Sequence, residues 1–417
     1  MEFSLTEEHI RIQATAKRLA ADFSTRATDH DRDASPPTEN YSVLREAGFF
    51  DLIIPKEFGG QGAGLLGYTI AAEEIAQGCA STALSFNMHH AILFSLLHSA
   101  LPDESKRWVA ELVTKERKLI AGGPSEPGTT GLLPATYAST TQARRTSGGY
   151  IVTGKKAFMT MSESSDYLMI IAHPEEDDNP HSVIVAIIPT DTVGVRFEHV
   201  CDTLGMRATR SDNIILEDCF VSDEFILGEP IPNMGEWMVA NEHWNISYTA
   251  VYLGVGFAAL QAIKDNVKQR QPRGYSQPLA YHSDIRRRVA IMSAQLEAAR
   301  WLLRYVAWLA DDAYDKNRYA DRTKQYGTTA EGHLTEVINT YFKAKYIVGS
   351  AVTEATRSAL EIGGAHAIFK NSTIERLFRD GATATIQNPP SDFCLSELSI
   401  HELGLDKKQL TPPLLPL

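Results

Sequence analysis

Four short stretches and a histidine pair hold the residue types from which chemistry could be built. Pro124-Ser125-Glu126-Pro127-Gly128-Thr129-Thr130-Gly131 follows an apolar run and mixes hydroxyls with turn formers. Alone it is a loop, because Pro and Gly punctuate turns and Ser and Thr bond to the backbone there. Phe158-Met159-Thr160 closes the run IVTGKKA with a hydroxyl after bulky side chains. Leu204-Gly205-Met206-Arg207 precedes the alternating segment NIILEDCFV. Leu360-Glu361-Ile362-Gly363-Gly364 stops a helical pattern shortly before Ile374-Glu375-Arg376-Leu377-Phe378-Arg379-Asp380 starts another. Backbone N–H groups at such a helix start could meet a phosphate. His89 and His90 lie in an apolar helical run. A histidine there is more often a satisfied core group, but it could serve as a base or hydrogen-bond donor at neutral pH.

These stretches need elements to hold them. From Met1 to about Lys118 the pattern is helical, with Thr6 able to cap a first helix whose apolar residues Ile10, Ile12, Ala16, Leu19 and Ala20 recur near the 3.6-residue period. A second helix is expected after Asn40, then a Gly-rich loop PKEFGGQGAG, then one apolar helix from Tyr68 to about Leu101. The texture changes near Leu119. From there to about Gly228, runs such as YLMIIAHP and HSVIVAIIP read as short strands closed by prolines. After Pro230 helices return, at about Trp237 to Gln269, from Ser283, and from about Leu334 to Ile362. Met292, Leu296, Ala299, Leu303 and Val306 form a core stripe, and Gly363-Gly364 ends the third helix as a glycine C-terminus does. The expected organisation is an α+β multidomain chain: residues 1–118 helical, 119–230 a β domain, and 231–417 a helical bundle.

Composition narrows the function. The 417 residues are 43% hydrophobic and 22% charged, as in soluble globular proteins. A net charge of -12 makes nucleic acid an unexpected partner. No apolar run approaches the roughly 20 residues of a membrane span, and the N-terminus is amphipathic and unlike a secretion signal. The four cysteines show no CxxC and no metal-ligand spacing, so a reduced, cytoplasmic setting without a metal site is expected.

In this order and at these separations the motifs resemble the acyl-CoA dehydrogenase family, over nearly the whole chain. SEPGT looks like its T/S-E-P-G loop, FMT like its W-I-T, LGMR like its L-G-x-R, and EIGG with IERLFRD like its Q-x-x-G-G and E-R-x-x-R-D. The resemblance implies an N-terminal helical domain, a middle β-barrel-like domain and a C-terminal four-helix bundle. It also implies FAD, with FMN still open, bound in a homodimer or homotetramer. Ser125 then meets the flavin pyrimidine edge, Thr160 bonds near N5, and Phe158 replaces the Trp packed on the ring. Arg270 meets the pyrophosphate across a subunit interface, although QPRGY after it departs from the family's K-x-F-G. Glu361, Gly363 and Gly364 cradle the ADP half of a neighbour's FAD, and Arg286-Arg287-Arg288 could meet coenzyme A or an acidic carrier.

One departure bears on the reaction. The family's catalytic Glu is replaced by Asn388, within Ile386-Gln387-Asn388-Pro389-Pro390, and the alternative base position on the first bundle helix is Ile246. Neither takes a proton. Glu242, one turn before Ile246, is the first candidate for the base and His90 the second. Two enzymatic readings follow. One is dehydrogenation of an acyl thioester, on coenzyme A or a carrier protein, with electrons passed to an electron-transfer flavoprotein. The other is a monooxygenase of the same fold, fed by a flavin reductase and oxygen and acting on a small aromatic, amine or sulfur substrate. A redox-inactive flavin scaffold is the third class, and the intact SEPGT and GG stretches speak against it.

Overall fold

The computed structural model describes residues 4–99, 101–128, 138–233, 242–315 and 331–406. Thr6 does cap α1 (Glu7–Ser24): its hydroxyl accepts from the His9 N–H, and the His9 ring accepts the Thr6 N–H in return. The next helices are α2 (Ala27–Asp33), α3 (Thr38–Glu46), α4 (Gly64–Gly78), α5 (Ala80–Leu97) and α6 (Asp103–Thr114). The single helix expected from Tyr68 to Leu101 is two. Cys79, at φ −149 and ψ 107, is extended and separates α4 from α5. Just before it, α4 presses on α1 so closely that a Cβ on Gly78 would lie 2.0 Å from the Ala20 carbonyl oxygen. All eighteen residues of α5 are buried, so its sequence carries no amphipathic period to mark its ends.

The central block is a seven-stranded mixed sheet in the order β1-β4-β2-β3-β7-β6, with β5 on β4. Its strands are β1 (Ile120–Gly122), β2 (Gln142–Thr146), β3 (Gly149–Met159), β4 (Tyr167–Pro174), β5 (Ile184–Pro189), β6 (Val195–Glu198) and β7 (Asp212–Ser222). Strand β4 runs parallel to both β1 and β2, and the other pairs are antiparallel.

Among the described residues five helices follow: α7 (Glu242–Gln269), α8 (Ser283–Asp315), α9 (Glu331–Gly363), α10 (Thr373–Ala382) and α11 (Ser391–Glu402). The polar stretch AYDKNRYADRTKQYGTTAEGH, whose composition reads as an exposed connection or hairpin, falls largely outside the described residues. Helix α7 is the axis, packed on α4, α5, α8, α9 and α10. Its stretch Ile246–Gln269 is long and apolar enough to cross a membrane, which corrects the expectation that no apolar run approaches that length. Most of that stretch is buried within the protein, the place for a helix apolar all round.

Charge pins the helical blocks together. Buried Glu73 on α4 meets Arg300 at 2.6 Å and Arg304 at 3.4 Å, both from α8. The Arg300 guanidinium also lies 3.6 Å from the Phe257 ring centroid. Asp311, near the end of α8, caps α4 by accepting the N–H groups of Leu65 at 2.7 Å and Leu66 at 2.8 Å.

Candidate active site

The SEPG loop is anchored by a buried ion pair. Glu126 enters the protein beneath Ser125 and meets Lys156 of β3, both side chains fully buried. Its carboxylate also accepts the hydroxyls of Ser139, Thr140 and Thr141 and the N–H groups of Thr140 and Thr141. Burial alone would raise this carboxyl, but Lys156 and the hydroxyls outweigh it and hold the pKa at about 2. Ser125 itself stays exposed, and its carbonyl accepts the Ala157 N–H at 2.9 Å. The loop is thereby stitched alongside the end of β3.

There the β3–β7 register shifts between Lys156 and Met159. The irregularity re-aims the chain: Phe158 takes φ +58 and stands 75% exposed, while Thr160 turns inward to 5% exposure. The Thr160 hydroxyl lies 2.7 Å from Ser211 Oγ, and Ser211 lies 2.9 Å from Thr209 Oγ1. An exposed aromatic beside a buried hydroxyl and an accessible Ser125 suits a planar heteroaromatic ring with polar edges.

The LGMR and RD motifs join at the next step. Met206 N–H donates to Asp380 Oδ1 at 2.7 Å, and Arg379 spans Asp31 of α2, Glu375 and the Leu204 carbonyl. Arg207 Nε donates to the Asp31 carbonyl at 3.0 Å. One knot thus binds the N-terminal helices, the sheet and the bundle. Burial pushes the Asp380 carboxyl up to about 6, against the pull of Arg376 and the Met206 N–H.

On the far side of α10, Thr383 lies 3.3 Å from the Tyr252 hydroxyl, which donates to Gln387 Oε1 at 3.2 Å. Tyr248, one turn before Tyr252, donates to the Met88 sulfur at 3.0 Å. Lys345, buried on α9, donates to the Ala384 carbonyl at 2.6 Å and fixes the start of this loop. Asn388 is exposed and Ile246 fully buried. The loop therefore offers hydroxyls and an amide, with no carboxylate at either position. Sequence reading missed Tyr248, Tyr252, Thr383 and Gln387; the i, i+4 tyrosine pair on an apolar helix was the available signal.

The base candidates fare differently. Glu242 is the first residue of α7, and its side chain lies outside the described residues. His90 is 1% exposed among Phe86, Tyr68 and Phe50, with Nδ1–H donating to the Phe86 carbonyl at 2.8 Å. Burial holds its pKa far below the ordinary value. It is a neutral buried ring, but not the fully satisfied core histidine of the simpler reading, because its Nε2 is buried without a hydrogen-bond partner. His89 accepts the Ile120 N–H at 3.0 Å and donates to the Phe50 carbonyl at 3.1 Å, so it joins α5 to β1.

At the bundle end, Arg270 donates to the Gly363 carbonyl at 2.6 Å, and Gly364 takes φ +64, which favours glycine. A Cβ on Gly364 would lie 3.6 Å from Arg270 Nη1. A guanidinium beside a bare, left-handed backbone turn suits a phosphate. Glu361 is exposed and paired with Arg288 and Arg357, and Arg287 pairs with Asp284, so most of the basic run is internally neutralised.

The acyl-CoA dehydrogenase N-terminal, middle and C-terminal domains match residues 6–116, 121–219 and 246–387. The chain belongs to the acyl-CoA dehydrogenase family. It is an oxidoreductase of that flavin-binding family. Among its relatives, a probable acyl-CoA dehydrogenase, YngJ of Bacillus subtilis, is 26% identical, covering 94% of this chain and 97% of its own. The rat mitochondrial short-chain specific acyl-CoA dehydrogenase is also 26% identical, covering 93% and 88%. Among solved structures, FMN-bound TdsC of Paenibacillus sp. A11-2 superposes with a TM-score of 0.81 at 24% identity, covering 94% of this chain and 97% of that one. That likeness shows the fold alone.

The residues at the end of β3 fit the flavin that the family binds. Thr160→Val is expected to keep most flavin bound while slowing flavin reduction roughly 10- to 100-fold, the worth of a hydrogen bond to a charged group. Rapid-reaction absorbance at the flavin band measures it, and an unchanged rate would place Thr160 away from the reacting edge.

Proposed function

We propose that this protein is an FAD-dependent dehydrogenase of an acyl thioester, carried on coenzyme A or a carrier protein, with Glu242 as the base. The observation that carries this reading is the juxtaposition of the Phe158–Thr160 platform with a water-excluded interior. Helix α5 packs on β1 and on the 207–209 turn, whose Thr209 bonds Ser211, the partner of Thr160, and no residue of the helix is exposed. The full-length likeness to relatives named as acyl-CoA dehydrogenases supports the substrate class. When bound, the flavin supplies the hydride acceptor. Thr160 would hold its N5 edge, Ser125 the pyrimidine edge, and Arg270 with Gly364 a phosphate. An electron-transfer flavoprotein would be the electron acceptor. We also propose a reduced, cytoplasmic setting for the protein.

The loop favours a second reading. By the family resemblance Asn388 replaces the carboxylate that would take the α-proton, and an oxygenase acting on a small aromatic, amine or sulfur substrate needs no such base. TdsC is a dibenzothiophene monooxygenase, so this fold can host that chemistry. Anaerobic mixing with a panel of acyl thioesters separates the two. Bleaching of the flavin supports the dehydrogenase; no bleaching, with oxygen-dependent turnover beside a flavin reductase, supports the oxygenase. Glu242→Gln is expected to slow bleaching by roughly 10²-fold or more, the usual share of a general base. Unchanged kinetics would remove Glu242 from the mechanism. We also propose a homodimer or homotetramer, with Arg270 serving a flavin shared between chains; light scattering on a flavin-loaded monomer alone would refute it.

A further inference from the structure

We propose that Asp380 is a positioning residue that holds the Thr160 hydroxyl and the substrate-side loop 383–388 in register from a single point. The inference rests on the flavin reading above. Asp380 is 3% exposed and grips both sides with different atoms. Its carboxylate takes the Met206 N–H at 2.7 Å. The Met206 carbonyl accepts from Thr209 Oγ1 at 2.9 Å, Thr209 Oγ1 lies 2.9 Å from Ser211 Oγ, and Ser211 lies 2.7 Å from Thr160 Oγ1. Met161, next to Thr160, donates its N–H to the Thr209 carbonyl at 3.0 Å. In the other direction the Asp380 carbonyl accepts from Thr383 Oγ1 at 2.7 Å. Thr383 then reaches Tyr252, and Tyr252 reaches Gln387.

Packing shows the same coupling independently. A Cβ on Gly205 would lie 2.4 Å from the Arg379 carbonyl oxygen and 2.7 Å from Asp380 N, so the 204–209 loop and α10 touch backbone to backbone. Neither can shift without the other.

Sulfite, which adds reversibly to oxidised flavin at N5, reads the flavin side, and amide hydrogen exchange reads the loop. Asp380→Ala is expected to change the sulfite dissociation constant of the holoenzyme roughly 10-fold, in the same direction as Thr160→Val. Adding Thr160→Val to Asp380→Ala is expected to give no further change. Exchange over residues 383–391 accelerates in Asp380→Ala because loss of the Met206 anchor lets α10 shift, and with it the Asp380 carbonyl that holds Thr383. Asp380→Asn, which keeps an acceptor for Met206, returns both readouts to near wild type. Should Asp380→Ala not fold, Ser211→Ala is expected to reproduce the sulfite change. A flavin-bound Asp380→Ala or Ser211→Ala with wild-type sulfite affinity overturns the coupling, as does additivity with Thr160→Val. A wild-type protein that binds no flavin sinks the functional reading, while the exchange result still tests the loop arm.

Discussion

Glu126→Gln is expected to remove about 3–5 kcal/mol of folding stability, measured as a lowered midpoint of urea unfolding at constant slope. The change is nearly isosteric, so the effect comes from charge. Lys156 has no exposed surface, and its ammonium would be left beside a neutral amide. The loss shrinks as pH rises, because a deprotonated Lys156 needs no counter-charge. Glu126→Gln with Lys156→Met should recover much of the stability, since a buried pair exchanged for apolar volume is often neutral. In the wild type, folding lowers the Glu126 pKa to about 2 from 4.5. The folded carboxyl therefore gives up its proton more readily than the unfolded one. Its contribution is complete above about pH 4.5 and disappears as pH falls towards 2. Acid unfolding that is insensitive to Glu126→Gln would contradict this.

Glu73→Ala should be about as damaging, roughly 3 kcal/mol or more by the same reasoning. It leaves Arg300 and Arg304 facing each other, with Arg304 only 5% exposed at its side chain. The pair also fastens α4 to α8, so limited proteolysis should cut the variant sooner near the start of α4. Glu73 and Glu126 share no partner, so the double variant should lose the sum of the two. Loss of less than about 1 kcal/mol in Glu73→Ala would mean that the arginines find water without opening the interface.

Residues whose local chemistry is distinctive could be read in advance. Thr6 was a visible cap, the α8 stripe from Met292 to Val306 shows helical spacing, and Gly363-Gly364 stops α9. Ser125, Phe158 and Thr160 stand out because turns and strand ends leave short signatures. Gly78 was the available signal for the α4–α5 break, but α5 is buried on every side and so carries no period to mark where it starts. Phe158 in a left-handed conformation was illegible, because nothing local asks a bulky residue for positive φ. The Tyr252–Gln387 contact joins residues 135 apart in sequence, and only tertiary packing makes it.

The Asp311 cap on α4 has a bearing on biosynthesis. The N–H groups it satisfies belong to Leu65 and Leu66, some 246 residues upstream. On the ribosome, the first helical block and the sheet emerge well before that carboxylate exists. Helix α4 must therefore wait with an open first turn, wetted or held by a chaperone, until α8 has been made. Truncated nascent chains ending before Asp311 should bind holdases longer than chains ending after it, and Asp311→Ala should extend that interval in the full-length product.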